Sequence, residues 1–316
     1  MSIVTDELAA GPAEEPGLPV KIDTTRPHQA RIYDYWLGGE NNFPVDREAA
    51  ERALAAYPGL RRGVQAQRAF LASAVGYLTG TAGVRQFLDI GTGIPAANNT
   101  HEVAQAADPD ARIVYVDNDP IVLSHARALL KASRPGTITY LDADLRDTAK
   151  VLTEAAGLLD FREPVGVLMI GVLQLIPDED DPHAIVARLM AAVPPGSWLA
   201  IFHPASDILA SQMKTVAREV SVRAAAPTTL RAKAEITRFF DGLDLLEPGL
   251  VQVHRWRPGS QAPDMGEEVP GYAALARKPN PAQAASSRSS VRAMASAQTS
   301  PSAMSARASA GAREQS

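Results

Sequence analysis

The spacing of apolar positions changes twice along the chain and divides it into three stretches. In DREAAERALAAY and AQRAFLASAVGYL, apolar side chains recur three and four apart, so the pattern predicts a helical N-terminal layer over 27–83. From residue 85 short, continuously apolar runs take over: RQFLDI, ARIVYVD, TITYLDAD, VGVLMIG and GSWLAIFHP have strand length. THEVAQAAD, DPIVLSHARALLKAS and DPHAIVARLMAAV lie between them at helical spacing, the rhythm of a parallel sheet with crossover helices. After His203 the rhythm breaks. ASDILASQMKTVAREVSVRA reads as an added helix able to cover a site, and LRAKAEITRFFDGL as the next one. GLVQVHRWRP and GYAALARKP are β-like runs joined by a Pro/Gly/acid-rich loop, an antiparallel pair closing the sheet. The prediction is an α/β fold of seven strands, mostly parallel, with an antiparallel C-terminal strand and helices on both faces.

Composition bounds this picture. An apolar content of 46% supports a large core, and one domain over 27–279 is expected between a disordered tail at 1–26 and a disordered Ala/Ser-rich tail at 280–316. The net charge of -5 gives no reason to expect nucleic acid as a partner. With no cysteine, disulfides, thiolate zinc sites and cysteine nucleophiles are excluded. The acidic, proline-broken start does not read as a secretion signal, and the longest apolar run, VGVLMIGVLQLIP, falls short of the roughly 18 residues that span a bilayer. A cytoplasmic protein with no membrane partner is expected.

Ligands of open parallel sheets gather at the carboxyl ends of the strands. Here those ends are acidic: Asp89-Ile90-Gly91-Thr92-Gly93, Asp117-Asn118-Asp119 and Asp142-Ala143-Asp144-Leu145. Carboxylates repel a triphosphate, and no G-x-x-x-x-G-K-[ST] loop is present. S-adenosyl-L-methionine, cationic at one end and rich in hydroxyl and amino donors at the other, suits them better. A nicotinamide dinucleotide is the rival, since Asp117 lies near the ~20-residue spacing at which such folds place a ribose-binding acid. Asp89 discriminates, because a carboxylate there would repel a pyrophosphate.

LDIGTGIP, ARIVYVDNDPIVLSHARALL, DADLRD, VLQLIPDEDDP and ITRFFDGLDLLEPGLV, with the leading ARIYDYWLGGENNFPVDREAAERAL, closely resemble the S-adenosyl methyltransferase family from Pro27 to Lys278. The resemblance implies a Rossmann-like seven-stranded methyltransferase fold and an acceptor class that is poorly defined. It places Asp89 at the methionine amino group, with Gly91, Thr92 and Gly93 forming the turn against the cofactor. Asp117 would take the ribose hydroxyls, Asn118 would lie beside the adenine, and Asp144 and the Leu145 N–H would bind its edge. Val172 and Leu173 would form an apolar wall. ARIYDYWLGGENNF, broken at Gly38-Gly39, reads as a lid with Tyr33 and Asn42 as its contacts, or as a simple helix stop.

Methyl transfer is an in-line displacement that asks the protein for alignment, exclusion of water and, for a protonated acceptor, a base. His203, at the end of the fifth strand, is the expected catalytic base; His101, Tyr33 and Asp34 are alternatives. No HExxH spacing occurs, so no metal is expected, and DEDDP reads as a helix entrance with Asp181 as cap and Pro182 in the first turn. The fourth strand is not followed by the N/D-P-P-Y/F turn that holds planar nitrogens. The expected acceptor is therefore an oxygen or aliphatic nitrogen, of a small molecule first and otherwise of a modest protein or peptide. The rival functions are a methyl-donor-binding regulator without turnover and an NAD-dependent oxidoreductase.

Overall fold

The apolar runs form strands β1 (Gln86–Ile90), β2 (Arg112–Asp117), β3 (Ile138–Asp142), β4 (Gly166–Ile170) and β5 (Trp198–Pro204), all mutually parallel. The C-terminal strands β6 (Asp244–Leu245), β7 (Val251–Gln252) and β8 (Gly271–Arg277) are antiparallel additions. The sheet order is β3-β2-β1-β4-β5-β8-β6, with β7 also pairing β8. Strand order reverses at β1, which has β2 on one side and β4 on the other, and this opens a crevice at the carboxyl ends. This computed structural model describes residues 22–124, 136–222, 224, 227–256 and 268–280. The described residues up to Lys278 belong to one compact unit. The predicted tails lie almost wholly outside the described residues, as does the second helical run beyond residue 124, His125 included.

Both faces of the sheet are covered, which is why its strands are apolar throughout and not alternating. Leu88, Val114, Val116, Val167, Met169, Leu199 and Ile201 enter one core, and Phe87, Ile113, Tyr115, Leu168, Ala200 and Phe202 the other. Helix α3 (Leu60–Gly80) covers the second face with Phe70, Leu71, Ala74, Val75 and Leu78. A third core joins the two N-terminal helices, α1 (Gln29–Trp36) and α2 (Pro44–Ala56), to a helix from far along the chain. Ile32, Trp36, Ala49, Ala50 and Ala53 pack there with Met213, Val216 and Val220 of the helix Ala210–Ser221. The alanine face of α2 has no bulk to hold that helix away.

Further helices among the described residues are α4 (Thr100–Ala107), α5 (Thr148–Ala155), α6 (Pro182–Ala192), α7 (Ala210–Ser221) and α8 (Lys233–Thr237). Asp181 caps α6, accepting from the Ala184 N–H at 3.1 Å, with Pro182 in its first turn. Among the described residues there are eight strands where seven were expected: the addition is β6, whose two residues are too short to show a period, while β7 falls within the predicted GLVQVHRWRP. The run after β7 leaves the sheet as a 3-10 turn, Val253–Arg255, and buries Trp256 edge-on against Phe70 at 4.8 Å. LRAKAEITRFFDGL is likewise no continuous helix: five residues of α8 give way to a 3-10 turn that sinks Phe239 and Phe240 into the first core.

Candidate active site

Above the reversal point lies a cavity of about 370 Å3. Its floor is the ends of β1, β2 and β4 with the loop after β3, and its walls come from α1, α3 and α7. Two glycines shape the floor. Gly91 has φ +73°, and a Cβ there would meet Val172 at 2.4 Å, so the turn after β1 closes directly onto the loop after β4. Gly93, at φ +68°, faces open space with nothing within 4 Å of a built Cβ, which leaves the backbone bare toward a ligand. Thr92 ties the turn down through a 3.2 Å bond from Oγ1 to the Asp89 carbonyl.

The strand-end acids share this cavity but differ in electrostatic state. Asp89 is buried, and burial pushes its pKa up to about 6 despite a 2.6 Å bond from Thr100 Oγ1 and the nearby charge of Arg68. Asp117 also titrates above the ordinary range because of burial, although Oδ2 accepts from Gly93 N–H and Oδ1 from Asp119 N–H, each at 2.9 Å. Asp144 goes the other way. Arg146 grips both its oxygens, at 2.9 and 2.6 Å, holds its pKa down, and reaches on to Asp180 at 3.1 Å. Asn118 and Leu145 line the same cavity beside Asp117 and Asp144.

The N-terminal segment lies over these groups. Tyr33 lines the cavity, and burial raises its phenol well above its usual range. His28 Nδ1 stands 2.7 Å from Asp119 Oδ2, where burial alone would raise the acid but the histidine brings its pKa below the ordinary value. At that distance Nδ1 carries a proton, so the 3.4 Å approach of the Ala30 N–H to the same atom is not a helix cap. Gln29 Nε2 donates to Thr228 Oγ1 at 3.0 Å, tying α1 to the segment after α7. Asn42, expected to contact a ligand, does not line the cavity. Its Nδ2 donates to Asp34 Oδ2 at 2.8 Å and to the Gly39 carbonyl at 2.9 Å, and Asn41 N–H reaches the same Asp34 oxygen, so Asn42 and Asp34 fold the Gly38-Gly39 break instead.

His203 is also placed otherwise than expected. It is fully buried on the β5 face opposite Phe202 and does not line the cavity. Its Nδ1 lies 2.8 Å from the Pro204 carbonyl and its Nε2 3.0 Å from Arg231 Nη1, so one nitrogen donates, the other accepts, and neither is free. Burial pushes its pKa down to about 3, which keeps the ring neutral. Buried Arg231 also donates to the Leu173 and Ile176 carbonyls and to Asp178, stapling the loop after β4 to β5. His101 is engaged with the Tyr115 hydroxyl at 2.8 Å and is likewise no wall residue. Val172 lines the cavity; Leu173 sits in the core behind it. Arg68 and Gln174, absent from the sequence reading, do line it, and each carries a buried polar atom without a hydrogen-bond partner, Nε and Oε1. One arginine among three on an amphipathic helix and a glutamine in an apolar run offered no pattern to find them by.

A family model described as S-adenosyl methyltransferase matches residues 16–279. The chain belongs to the S-adenosyl methyltransferase family. A crystallised DUF574 family protein of Streptomyces avermitilis shares 43% identity with it, over 82% of this chain and all 100% of that one, with a TM-score of 0.79. A Thermobifida fusca protein whose methyltransferase assignment is itself provisional shares 37%, over 82% and 97% of the two chains, with a TM-score of 0.76. No curated protein matches. As a family member this methyltransferase uses S-adenosylmethionine as its methyl donor, which sets aside the dinucleotide rival. The cavity fits that donor: two acids of raised pKa suit a cation, and the open face of Gly93 leaves room for a ligand against the backbone. No helix among the described residues is long and apolar enough to cross a membrane, and no metal-binding cluster occurs among them.

Proposed function

We propose that this methyltransferase acts on an oxygen or aliphatic nitrogen of a small, largely apolar acceptor held between the end of β4 and helix α7. The observation that carries the proposal is the lining of the same cavity away from the acids. Trp36, Leu60, Phe202, Met213, Val216 and Val220 form an apolar wall, and Gln174 Oε1 is a buried acceptor atom without a partner. A hydroxyl or amine on an apolar body supplies the missing donor and fills the wall. Gln174 is held firmly for this role: its Nε2 donates to the Gly171 carbonyl at 2.6 Å, and its main-chain carbonyl accepts from Thr229 N–H at 2.8 Å.

On this reading Asp117 takes the ribose hydroxyls, Asp89 the ammonium, and Asp144 with Leu145 the adenine edge, while Val172 packs against the ligand. When bound, the donor supplies a methyl group already activated on sulfonium. The chain's own part is alignment and exclusion of water: α1 and α7 roof the cavity, and Gln174 orients the acceptor hydroxyl or amine. Among the described histidines only His28 lines the cavity, and it is paired with Asp119. The reading thus relies on placement more than on an imidazole base. The test is release of S-adenosylhomocysteine from S-adenosylmethionine across a panel of small alcohols, phenols and amines beside proteins and peptides. Turnover of small acceptors that falls at least tenfold in Gln174→Leu is expected; turnover of macromolecules alone would overturn the acceptor assignment.

A further inference from the structure

Arg68 lines the cavity from α3, in the company of Asp89, Thr100 and Tyr33. Its Nη2 donates to the carbonyls of Ala97 and Asn98, at 2.8 and 3.0 Å, and lies 3.2 Å from Asn99 Oδ1. Those bonds fix the guanidinium at the entrance to α4. Its Nε, by contrast, is buried and has no partner. A buried charged donor left unpaired is costly, so its acceptor is to be sought in whatever fills the cavity. The same guanidinium acts on Asp89, where its charge works against the effect of burial. One corner of the cavity therefore holds a buried carboxylate beside a guanidinium whose Nε has no partner, a pair that complements an α-amino-acid zwitterion.

We propose that Arg68 receives the carboxylate of the donor's methionine moiety through Nε, while Asp89 takes its ammonium group. The proposal rests on the donor reading above and adds to it a selection: the site takes a donor with an intact amino acid and rejects one lacking the carboxylate. Because Nη2 holds residues 97–99, and Asn98 sits there at φ +61°, the carboxylate contact also anchors the strained loop that leads into α4.

Titration calorimetry with two probes tests this. S-adenosylhomocysteine carries the whole amino acid; 5′-deoxy-5′-(3-aminopropylthio)adenosine keeps the amine and lacks the carboxylate. The wild-type protein is expected to prefer the first by about ten- to a hundredfold, the scale of one charged hydrogen-bonded contact. In Arg68→Met the preference falls to within about threefold of unity, and Arg68→Lys, which keeps the charge without the fork, is intermediate. Equal binding of the two probes by the wild type overturns the proposal whether or not the variants fold. So does a variant that loses affinity for both probes in equal measure, the signature of a loop clamp alone. Failure of the wild type to bind S-adenosylhomocysteine would instead defeat the donor reading itself.

Discussion

Replacing Asp89 by asparagine should stabilise the ligand-free protein while damaging its binding of the donor. The side chain is only 6% exposed, and burial raises its pKa from 3.8 to about 6. At ~1.4 kcal/mol per tenfold change in proton affinity, that rise corresponds to about 3 kcal/mol held against the folded state at neutral pH. The sign follows from linkage. The native state binds this proton more tightly than the unfolded chain, so the contribution to stability is whole below pH 3.8 and is lost as pH rises through about 6. Asparagine keeps an oxygen for Thr100 and carries no charge to desolvate. The assay is thermal unfolding of wild type and Asp89→Asn between pH 4.5 and 7.5, with and without S-adenosylhomocysteine. Without ligand, the variant should melt several degrees higher at pH 7.5, and the gap should narrow to about a third by pH 4.5. With ligand the order should close or reverse, because only the wild type offers a carboxylate to the ammonium group. A variant no more stable than wild type at pH 7.5, or a gap independent of pH, would refute the reasoning.

Three further outcomes follow from the same geometry. Gly91→Ala combines a left-handed φ, costing about 1–2 kcal/mol, with a Cβ 2.4 Å from Val172; adding Val172→Ala should recover the steric part and leave the backbone part, as read by chemical denaturation. His203→Gln should lower stability by about 1–3 kcal/mol through the lost Arg231 contact, with donor affinity and turnover nearly unchanged. A hundredfold loss of turnover at unchanged melting temperature would restore His203 as the base. Asp117→Ala should weaken S-adenosylhomocysteine by about 1–3 kcal/mol in calorimetry, and wild-type affinity would dismiss its ribose role.

The strands β1 to β5 were legible in the sequence because each is a buried apolar run between helical segments, and their carboxyl ends announced the crevice. The glycine turn and the three acids were legible for the same reason: position at a strand end is a matter of counting along the chain. What escaped was everything set by side-chain direction. His203 and Phe202 are neighbours on one strand, yet alternation sends Phe202 to the cavity wall and His203 to Arg231 in the opposite layer. Asn42 lies in the predicted lid, but a neighbouring acid, Asp34, claims its amide first. Gln174 and Arg68 became visible only once the fold showed which of their atoms are left without partners.

The differing states of the acids argue for one orientation of the donor. A uniformly ionised rim would attract a cation anywhere along it. Here Asp144 is already neutralised by Arg146, and Asp119 is held below the ordinary carboxylate range with His28 beside it, whereas Asp89 and Asp117 are buried and hold protons more readily than ordinary carboxylates. A cation relieves most strain where the desolvated charge is least compensated, which is the side of β1 and β2. The neutral adenine then falls toward β3, where a carboxylate satisfied by arginine still has lone pairs for an amino group but no demand for positive charge. In the proposed arrangement the sulfonium would face β4 and α7, where the wall is apolar and Gln174 carries an unpartnered Oε1. Restoring a free charge at the adenine end, by Arg146→Met, should therefore weaken donor binding less than Asp89→Asn does. The reverse ranking in calorimetry would mean that the gradient of compensation along the strand ends does not set the direction.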